Sequence, residues 1–419
     1  MSENAACATF AGLGLSEALC RGLVDLAHTQ PTPVQSAAIP AVLAGSDVRA
    51  SAQTGSGKTA AFVLPILEQL QTTTRSRAAV YALIIAPTRE LAMQIAEAAQ
   101  RYGAFLARAP KIVLVTGGAA ANPQMQDLRG GADIVVATPG RLLDLASRHA
   151  LPLDTVHTLV LDEADRLLAL GFAEDLQRVM EALPNDMQVL LFSATLPARV
   201  LALADDILRK PVCINLDEGR MPGVEIIAQR AIEVDDRQRT RLLVHLIAEH
   251  GWAQVLVFVA SRATADQLSA TLRKSGLAAA ALHGELSQNA RTQTLADFKA
   301  AEVQVLVATD LAARGLDVVQ LPAVVNFDLP RSPVDYVHRI GRTGRAGEPG
   351  DALSFVTAQN QAHFALIEKR HHLALQRERI ANFEPKDAPV SLRDPAGGIK
   401  GKRTSKKDKL REAAAKKKA

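Results

Sequence analysis

Aromatic side chains are scarce, only 4% of the residues, which argues against an aromatic stacking platform of the RNA-recognition-motif type. Cysteine is nearly missing as well. Cys7, Cys20 and Cys213 are odd in number, widely spaced and without a metal-ligand pattern, so a reduced, cytoplasmic setting is expected. No apolar run approaches the ~20 residues that a membrane span needs. Met1 to Phe10 lacks the basic and apolar regions of an export signal. What the chain has in plenty is length and apolar content: 419 residues, 48% apolar, fit two domains plus a tail.

Charge is unevenly divided. Lys400 to Ala419 holds ten Lys/Arg against Asp408 and Glu412, a net of +8, so the remaining chain carries −4 of the overall +4. A mildly acidic body with a strongly basic tail points to a polyanion partner for the tail. Beyond Pro385 the tail has little apolar content and is expected to be disordered. A helix is expected before it, from His363 to Ile380.

Ala52-Gln53-Thr54-Gly55-Ser56-Gly57-Lys58-Thr59 follows a short apolar run and precedes a helical pattern from Ala60 to Leu70. Strand, Gly-rich turn and helix in that order make a phosphate-cradling loop, with backbone N–H groups turned inward at the positive end of a helix. Lys58 then reaches the β- and γ-phosphates and the Thr59 hydroxyl sits on Mg²⁺. Ala52 stands where the consensus has Gly. Upstream, Pro31 and Pro33 stop any helix before Gln35. A Gln beside a phosphate loop can read adenine with both halves of its amide.

Val80–Ala86, Lys111–Val115, Asp133–Ala137, Thr158–Leu161 and Gln188–Phe192 read as strands alternating with helices, which predicts a parallel sheet covered on both faces. Function in such sheets gathers at the carboxyl ends of the strands. Each strand ends in a polar cluster: Pro87-Thr88-Arg89-Glu90, Thr116-Gly117-Gly118, Thr138-Pro139-Gly140-Arg141, Asp162-Glu163-Ala164-Asp165 and Ser193-Ala194-Thr195. A carboxylate at a strand end opposite a phosphate loop is the natural Mg²⁺ partner, and the next residue, Glu163, is placed to activate a water.

A turn at Met221-Pro222-Gly223 separates a second series of strands, Val255–Ala260, Ala278–Leu282, Val303–Ala308, Ala323–Phe327 and Leu353–Val356, with no phosphate loop of its own. Two lobes joined by a short linker imply a ligand-binding cleft. The second lobe carries Arg339, Arg342 and Arg345 at a spacing that puts them near one helix face, interrupted by Gly341 and Gly344. Two glycines there are better explained by close backbone approach than by an exposed helix.

From Phe10 to about Val356 these motifs resemble, in order, those of the DEAD-box RNA helicases of superfamily 2, whose name Asp162-Glu163-Ala164-Asp165 spells. Length and tail composition look most like the short bacterial RhlE-type members. The resemblance implies two tandem RecA-like parallel-sheet domains, residues 1–215 and 224–360, joined by a linker at 216–223 and followed by an extension at 361–419. It implies ATP, Mg²⁺ and RNA as ligands. Phe10, Gln35, Gln53, Thr54, Gly55, Ser56, Gly57, Lys58, Thr59 and Asp317 are implied at the nucleotide, Asp317 at its ribose. Asp162 is implied on the metal side, through water, Glu163 as the water-activating base, and Arg342 and Arg345 as arginine fingers. Asp165, Ser193, Thr195 and His338 are implied in coupling hydrolysis to RNA separation. RNA contacts are implied for Pro87, Thr88, Arg89, Gly118, Thr138, Arg141, Arg262, Gln288, Arg291 and Thr309.

One departure stands out: Ala27-His28 replaces the family's Gly and aromatic residue, so looser nucleotide selectivity is expected. The expected activity is RNA-dependent ATP hydrolysis with unwinding of short duplexes by a monomer, the basic tail adding an RNA contact. A DNA-directed superfamily 2 motor and a non-catalytic RNA clamp are the alternatives.

Overall fold

The computed structural model describes residues 9–52, 55–73, 79–216, 227–313, 321–344 and 350–386. Within them lie two seven-stranded sheets in which every strand pair is parallel. The first holds β1 (Val48–Ser51), β2 (Val80–Ile85), β3 (Ile112–Val115), β4 (Ala132–Ala137), β5 (Thr158–Leu161), β6 (Gln188–Ser193) and β7 (Val212–Asn215), in the order β3-β4-β2-β5-β6-β1-β7. β2, β4, β5 and β6 are buried along their whole length, as parallel strands covered on both faces must be. One core joins the sheet to the helices Pro33–Leu43, Lys58–Thr72 and Arg89–Gly103. The other joins it to Pro139–Ser147 and Ala173–Glu181. Phe10 is part of the first core.

The second sheet holds β8 (Ile227–Glu233), β9 (Val255–Val259), β10 (Ala279–Leu282), β11 (Val305–Thr309), β12 (Ala323–Asn326), β13 (Gly350–Val356) and β14 (Arg377–Glu378), in the order β10-β11-β9-β12-β13-β8-β14. The strands expected from sequence are present. β7, β8 and β14 are additions.

The helix expected to run from His363 to Ile380 is shorter. It spans Gln361–His371 and ends on His372, which adopts the left-handed conformation with φ 53°. Arg377 and Glu378 instead pair with Ala231 and Ile232 as the edge strand. Glu378 takes a forked pair of hydrogen bonds from Arg230, at 3.0 and 2.7 Å to one carboxylate oxygen. Arg377 is pinned to Glu368 at 2.8 and 2.6 Å, Phe383 is buried in the lobe's core, and the Lys386 N–H donates to Asp235 at 2.9 Å. The segment after the last long strand is therefore a strap sewn onto the second sheet.

Arginines 339 and 342 do not share a surface. The helix Pro333–Ile340 ends between them, and Arg339 is 2% exposed, in the lobe's interior. Gly344 shows the close approach expected there: a Cβ on it would sit 2.4 Å from Ile227 Cγ1 of β8. At the far end of the first sheet, Leu216 N–H donates to Ser51 O at 3.1 Å, tying the chain's exit to the end of β1.

Candidate active site and nucleic-acid interface

The phosphate loop and the Asp162, Ser193 and Thr88 motifs leave the first sheet at the carboxyl ends of parallel strands, and Gln35 comes from the helix Pro33–Leu43 that precedes β1. The phosphate loop follows β1, and Gly57 caps the helix Lys58–Thr72 in a left-handed conformation, φ 93°. Lys58 is 6% exposed and its Nζ donates to Ala52 O at 2.6 Å. Thr59, partly exposed, stands beside it in the first helical turn. Gln35 is buried and forms a capping box with Thr32: its Oε1 accepts from Thr32 N–H at 2.9 Å, and its Nε2 donates to Gly57 O at 3.1 Å. Both halves of the amide expected to read adenine are thus engaged within the protein here, one by Thr32 and the other by the phosphate loop. Phe10 is buried in the core that also contains Ala52 of the phosphate loop.

Asp162 leaves β5 only 2% exposed and accepts from the Glu163 N–H at 2.9 Å. Burial pushes its pKa up to about 6, against the pull of Lys58. A buried, under-neutralised carboxylate facing an ammonium is suited to a divalent cation, which would supply the charge that water cannot. Among the described residues no group of three or more His, Cys, Asp and Glu side chains could hold a metal.

Glu163 is left-handed, φ 49° and ψ 53°. Burial alone would raise its pKa, but Arg166, Lys58 and Arg342 together hold it below the usual value. Arg166, one helical turn on, grips the Glu163 carboxylate directly. Next to it Asp165, Ser193 and Thr195 form a closed network. Asp165 N–H donates to Ser193 Oγ at 3.1 Å, Ser193 Oγ donates to Thr195 O at 2.7 Å, and Thr195 N–H and Oγ1 donate to Asp165 Oδ2 at 3.1 and 2.7 Å.

The second lobe completes this cluster. Burial lowers the pKa of His338, while Asp165 and Glu163 oppose it and Arg166 and Arg342 add to it. Arg342, 6% exposed, acts on Glu163 in turn. Residues more than 170 positions apart therefore share one electrostatic site. Arg339 does not reach it. Its Nε and Nη2 grip Asp310 at 2.6 and 2.8 Å, its Nη1 donates to Asn326 Oδ1 at 2.9 Å and Asp328 O at 2.6 Å, and Phe258 lies under the guanidinium.

Several residues expected on RNA meet in a second cluster: Arg89 with Gly118 and Gln288, Arg141 with the following Ala119, and Arg291 with Glu90 beside Arg89. Thr88 caps the helix Arg89–Gly103 by accepting from Leu91 N–H, and Pro87 is buried beside it. Arg89 lies against Gly118, whose φ of 81° is one that glycine takes without strain. Arg141 Nη2 donates to Ala119 O at 2.9 Å, and Thr138 N–H donates to Val115 O at 3.0 Å. Across the cleft Arg89 reaches Gln288 Oε1 at 3.5 Å, and Arg291 Nη2 lies 2.9 Å from Glu90 Oε1. The Arg291 contact is ionic and not aligned as a hydrogen bond. Thr309 ends β11. Arg262, exposed, pairs with Glu285.

Gln53, Thr54, Asp317, Arg345, linker residues 217–223 and the tail from 387 lie outside the described residues. Sequence reasoning passed over Glu90, Arg166 and the Arg339–Asp310 pair. Glu90 belongs to the strand-end motif Pro87-Thr88-Arg89-Glu90, and Arg166 stands at i+3 from Glu163, within reach of its carboxylate. Ala27, noted from sequence beside His28, has φ 60°, the conformation glycine takes without strain, and the His28 ring lies 6.0 Å from that of Tyr102.

Comparison with known proteins converges on one family. The DEAD/DEAH box helicase family model matches residues 32–203 and the helicase conserved C-terminal domain model matches 238–347. The chain is 40% identical over 363 residues to the DEAD-box ATP-dependent RNA helicase CshA of Bacillus cereus, covering 86% of this chain and 68% of that protein. It is 39% identical over 383 residues to the ATP-dependent RNA helicase DeaD of Mycobacterium tuberculosis, covering 91% and 67%. Among solved structures, S. cerevisiae Dbp5 bound to RNA and ADP BeF3 superposes with a TM-score of 0.78 at 32% identity, over 89% of this chain and 95% of that one. Mss116p bound to single-stranded RNA and AMP-PNP gives 0.82 at 30% identity, over 92% and 81%.

Proposed function

The chain belongs to the DEAD-box family of ATP-dependent RNA helicases, and we propose that it couples ATP hydrolysis to closure of two lobes on single-stranded RNA, parting short duplexes locally. The observation that carries this reading is the shared site: His338 and Arg342 of one lobe act on Glu163 and Asp165 of the other. Hydrolysis then requires the lobes to meet, and RNA lying across both stabilises the same state.

In the proposed cycle Gln35 and the loop through Gly55, Ser56 and Gly57 bind ATP, and Lys58 holds its outer phosphates. Asp162 and Thr59 would hold Mg²⁺, which would supply charge neutralisation at the phosphates. For Gln35 to read adenine, its bonds to Thr32 and Gly57 must be exchanged for bonds to the base. Glu163 orients the attacking water and accepts its proton, held in its ionised form by Arg166, Lys58 and Arg342. Arg342 stabilises charge on the transferred group, a role worth about 10³–10⁵ in rate in related NTPases. The Asp165–Ser193–Thr195 network, with His338, carries the change to the RNA side.

Pro87, Thr88, Arg89, Gly118, Thr138, Arg141, Arg262, Gln288, Arg291 and Thr309 are assigned to RNA, with the basic tail as a further contact. Gln53, Thr54, Asp317 and Arg345 keep their assigned roles at the nucleotide. We assign 1–215 to the first lobe and 216–223 to the linker, and extend the second lobe to 386 to include the strap. No helix among the described residues is long and apolar enough to cross a membrane; we assign the protein to the cytoplasm.

Steady-state ATP hydrolysis without nucleic acid, with single-stranded RNA and with DNA of the same sequence tests the reading. Stimulation by RNA alone is expected. Equal stimulation by DNA would move the protein to the DNA-directed motors. Glu163→Gln should abolish hydrolysis and keep ATP-dependent RNA binding, and ATP and GTP compared in the same assay read the effect of His28.

A further inference from the structure

β3 is the edge strand of the first sheet, so the peptide groups of Thr116, at its end, have no neighbouring strand to bond. A side chain fills that place. Gln124, 7% exposed, accepts the Thr116 N–H on Oε1 at 3.2 Å, and its Nε2 donates to Thr116 O at 3.0 Å and Ala120 O at 3.4 Å. One donor and two carbonyl acceptors admit only this orientation of the amide. The carboxamide thus stands in for a strand's peptide and ties both ends of the turn Thr116-Gly117-Gly118-Ala119-Ala120.

Two other groups hold the same turn. The Arg89 guanidinium lies against Gly117 and Gly118, and Arg141 Nη2 donates to Ala119 O at 2.9 Å. Both arginines also belong to the proposed RNA surface. Gln124 is buried and carries no charge.

We propose that Gln124 is a positioning residue for RNA binding: it holds the Thr116–Ala120 turn in the conformation in which Gly118, Arg89 and Arg141 meet RNA. This rests on the reading that these three residues contact RNA. Arg89 and Arg141 are long and rotatable, so without a fixed turn each would lose the surface that limits its position. Gln124→Ala removes all three bonds and leaves two backbone groups of Thr116 unpaired. Gln124→Glu keeps shape and the Thr116 N–H bond but turns a carboxylate oxygen toward two carbonyls.

The test measures the RNA concentration giving half-maximal stimulation of ATP hydrolysis, kcat at saturating RNA, and hydrogen exchange at the Thr116 amide. Four variants are compared: Gln124→Ala, Gln124→Glu, Arg141→Ala and Val179→Ala. Val179 is fully buried on the helix Ala173–Glu181 and controls for stability alone. The expected result is a half-maximal RNA concentration raised about tenfold, equivalent to about 1.4 kcal/mol, in both Gln124 variants. kcat should change less than twofold, Thr116 exchange should speed up, and Val179→Ala should show no such rise at a matched loss of melting temperature. A normal RNA requirement in Gln124→Glu, the isosteric variant, would overturn the proposal. So would Arg141→Ala weakening RNA while both Gln124 variants bind normally. If Arg141→Ala also binds normally, the RNA assignment of this turn falls together with the proposal.

Discussion

Arg339→Met should unfold the second lobe early, and the effect can be sized from the contacts. Arg339 is 2% exposed and makes two bonds to Asp310, one to Asn326 and one to a backbone carbonyl. Removing one member of a buried pair costs about 3–5 kcal/mol, mostly because the other charge is left uncompensated. The Asp310 side chain is 25% exposed, so water can partly rehydrate it, and the lower end, about 3 kcal/mol, is expected. For a unit the size of this lobe that is about 6–12 °C in melting temperature. Trp252 is the sole tryptophan and lies in this lobe, stacked on His250 with Nε1 bonded to Asp351 at 3.1 Å. Its emission therefore reports the second lobe alone during denaturation, while far-UV ellipticity follows both. Asp310→Asn in the same background should recover part of the loss, at least about 1 kcal/mol of coupling. A shift under about 1 kcal/mol, or strictly additive losses, would refute the argument that this arginine is a buried structural tie.

Two further outcomes follow from the first lobe. Ala27→Gly should stabilise it: relief of about 1–2 kcal/mol of left-handed strain outweighs about 0.4–1 kcal/mol of added unfolded-state entropy, and thermal melts by ellipticity read the gain. The pH dependence of the Mg²⁺-free protein should carry an unusual sign in one window. Asp162 rises from 3.8 to about 6 on folding, so its contribution is complete below pH ~4 and is lost as pH climbs through about 6, by up to roughly 3 kcal/mol. Glu163, lowered on folding, acts oppositely, adding stability above its usual value that is lost on acidification. Asp162→Asn should remove the decline between pH 4 and 6; a decline that persists in that variant would assign it elsewhere.

Much of the site was readable before the fold was known, because strand-end motifs in parallel sheets report their own position. β5 into Asp162 and β6 into Ser193 are examples, each an unbroken apolar run ending in polar residues. β8 escaped notice for the opposite reason: Ile-Ala-Gln-Arg-Ala-Ile-Glu neither alternates nor runs apolar, since it lies one place from the sheet edge. β14 is two charged residues, a strand only by virtue of its pairing with β8 and the Arg230–Glu378 contact. The stretch after His371 has helical composition, but that tertiary pairing overrides propensity. Arg339 was invisible as a core residue because arginine is so seldom fully buried. Its partner Asp310 lies twenty-nine positions away and only the fold brings them together. Gln124 gave no signal, since its role depends on β3 lying at an edge.

The bond between Leu216 and Ser51 has a mechanical meaning. β7 runs parallel to β1 with Ser51 beside Asn215, and the residue after Ser51 opens the phosphate loop. Tension along the connection between the lobes enters the first sheet at this rung. Pulled lengthwise, β7 loads its four rungs to β1 together, in shear, rather than peeling them one by one. The first covalent neighbour to feel the load is Ala52, whose carbonyl holds Lys58. The rung that carries the tether and the carbonyl that holds Lys58 are thus one residue apart.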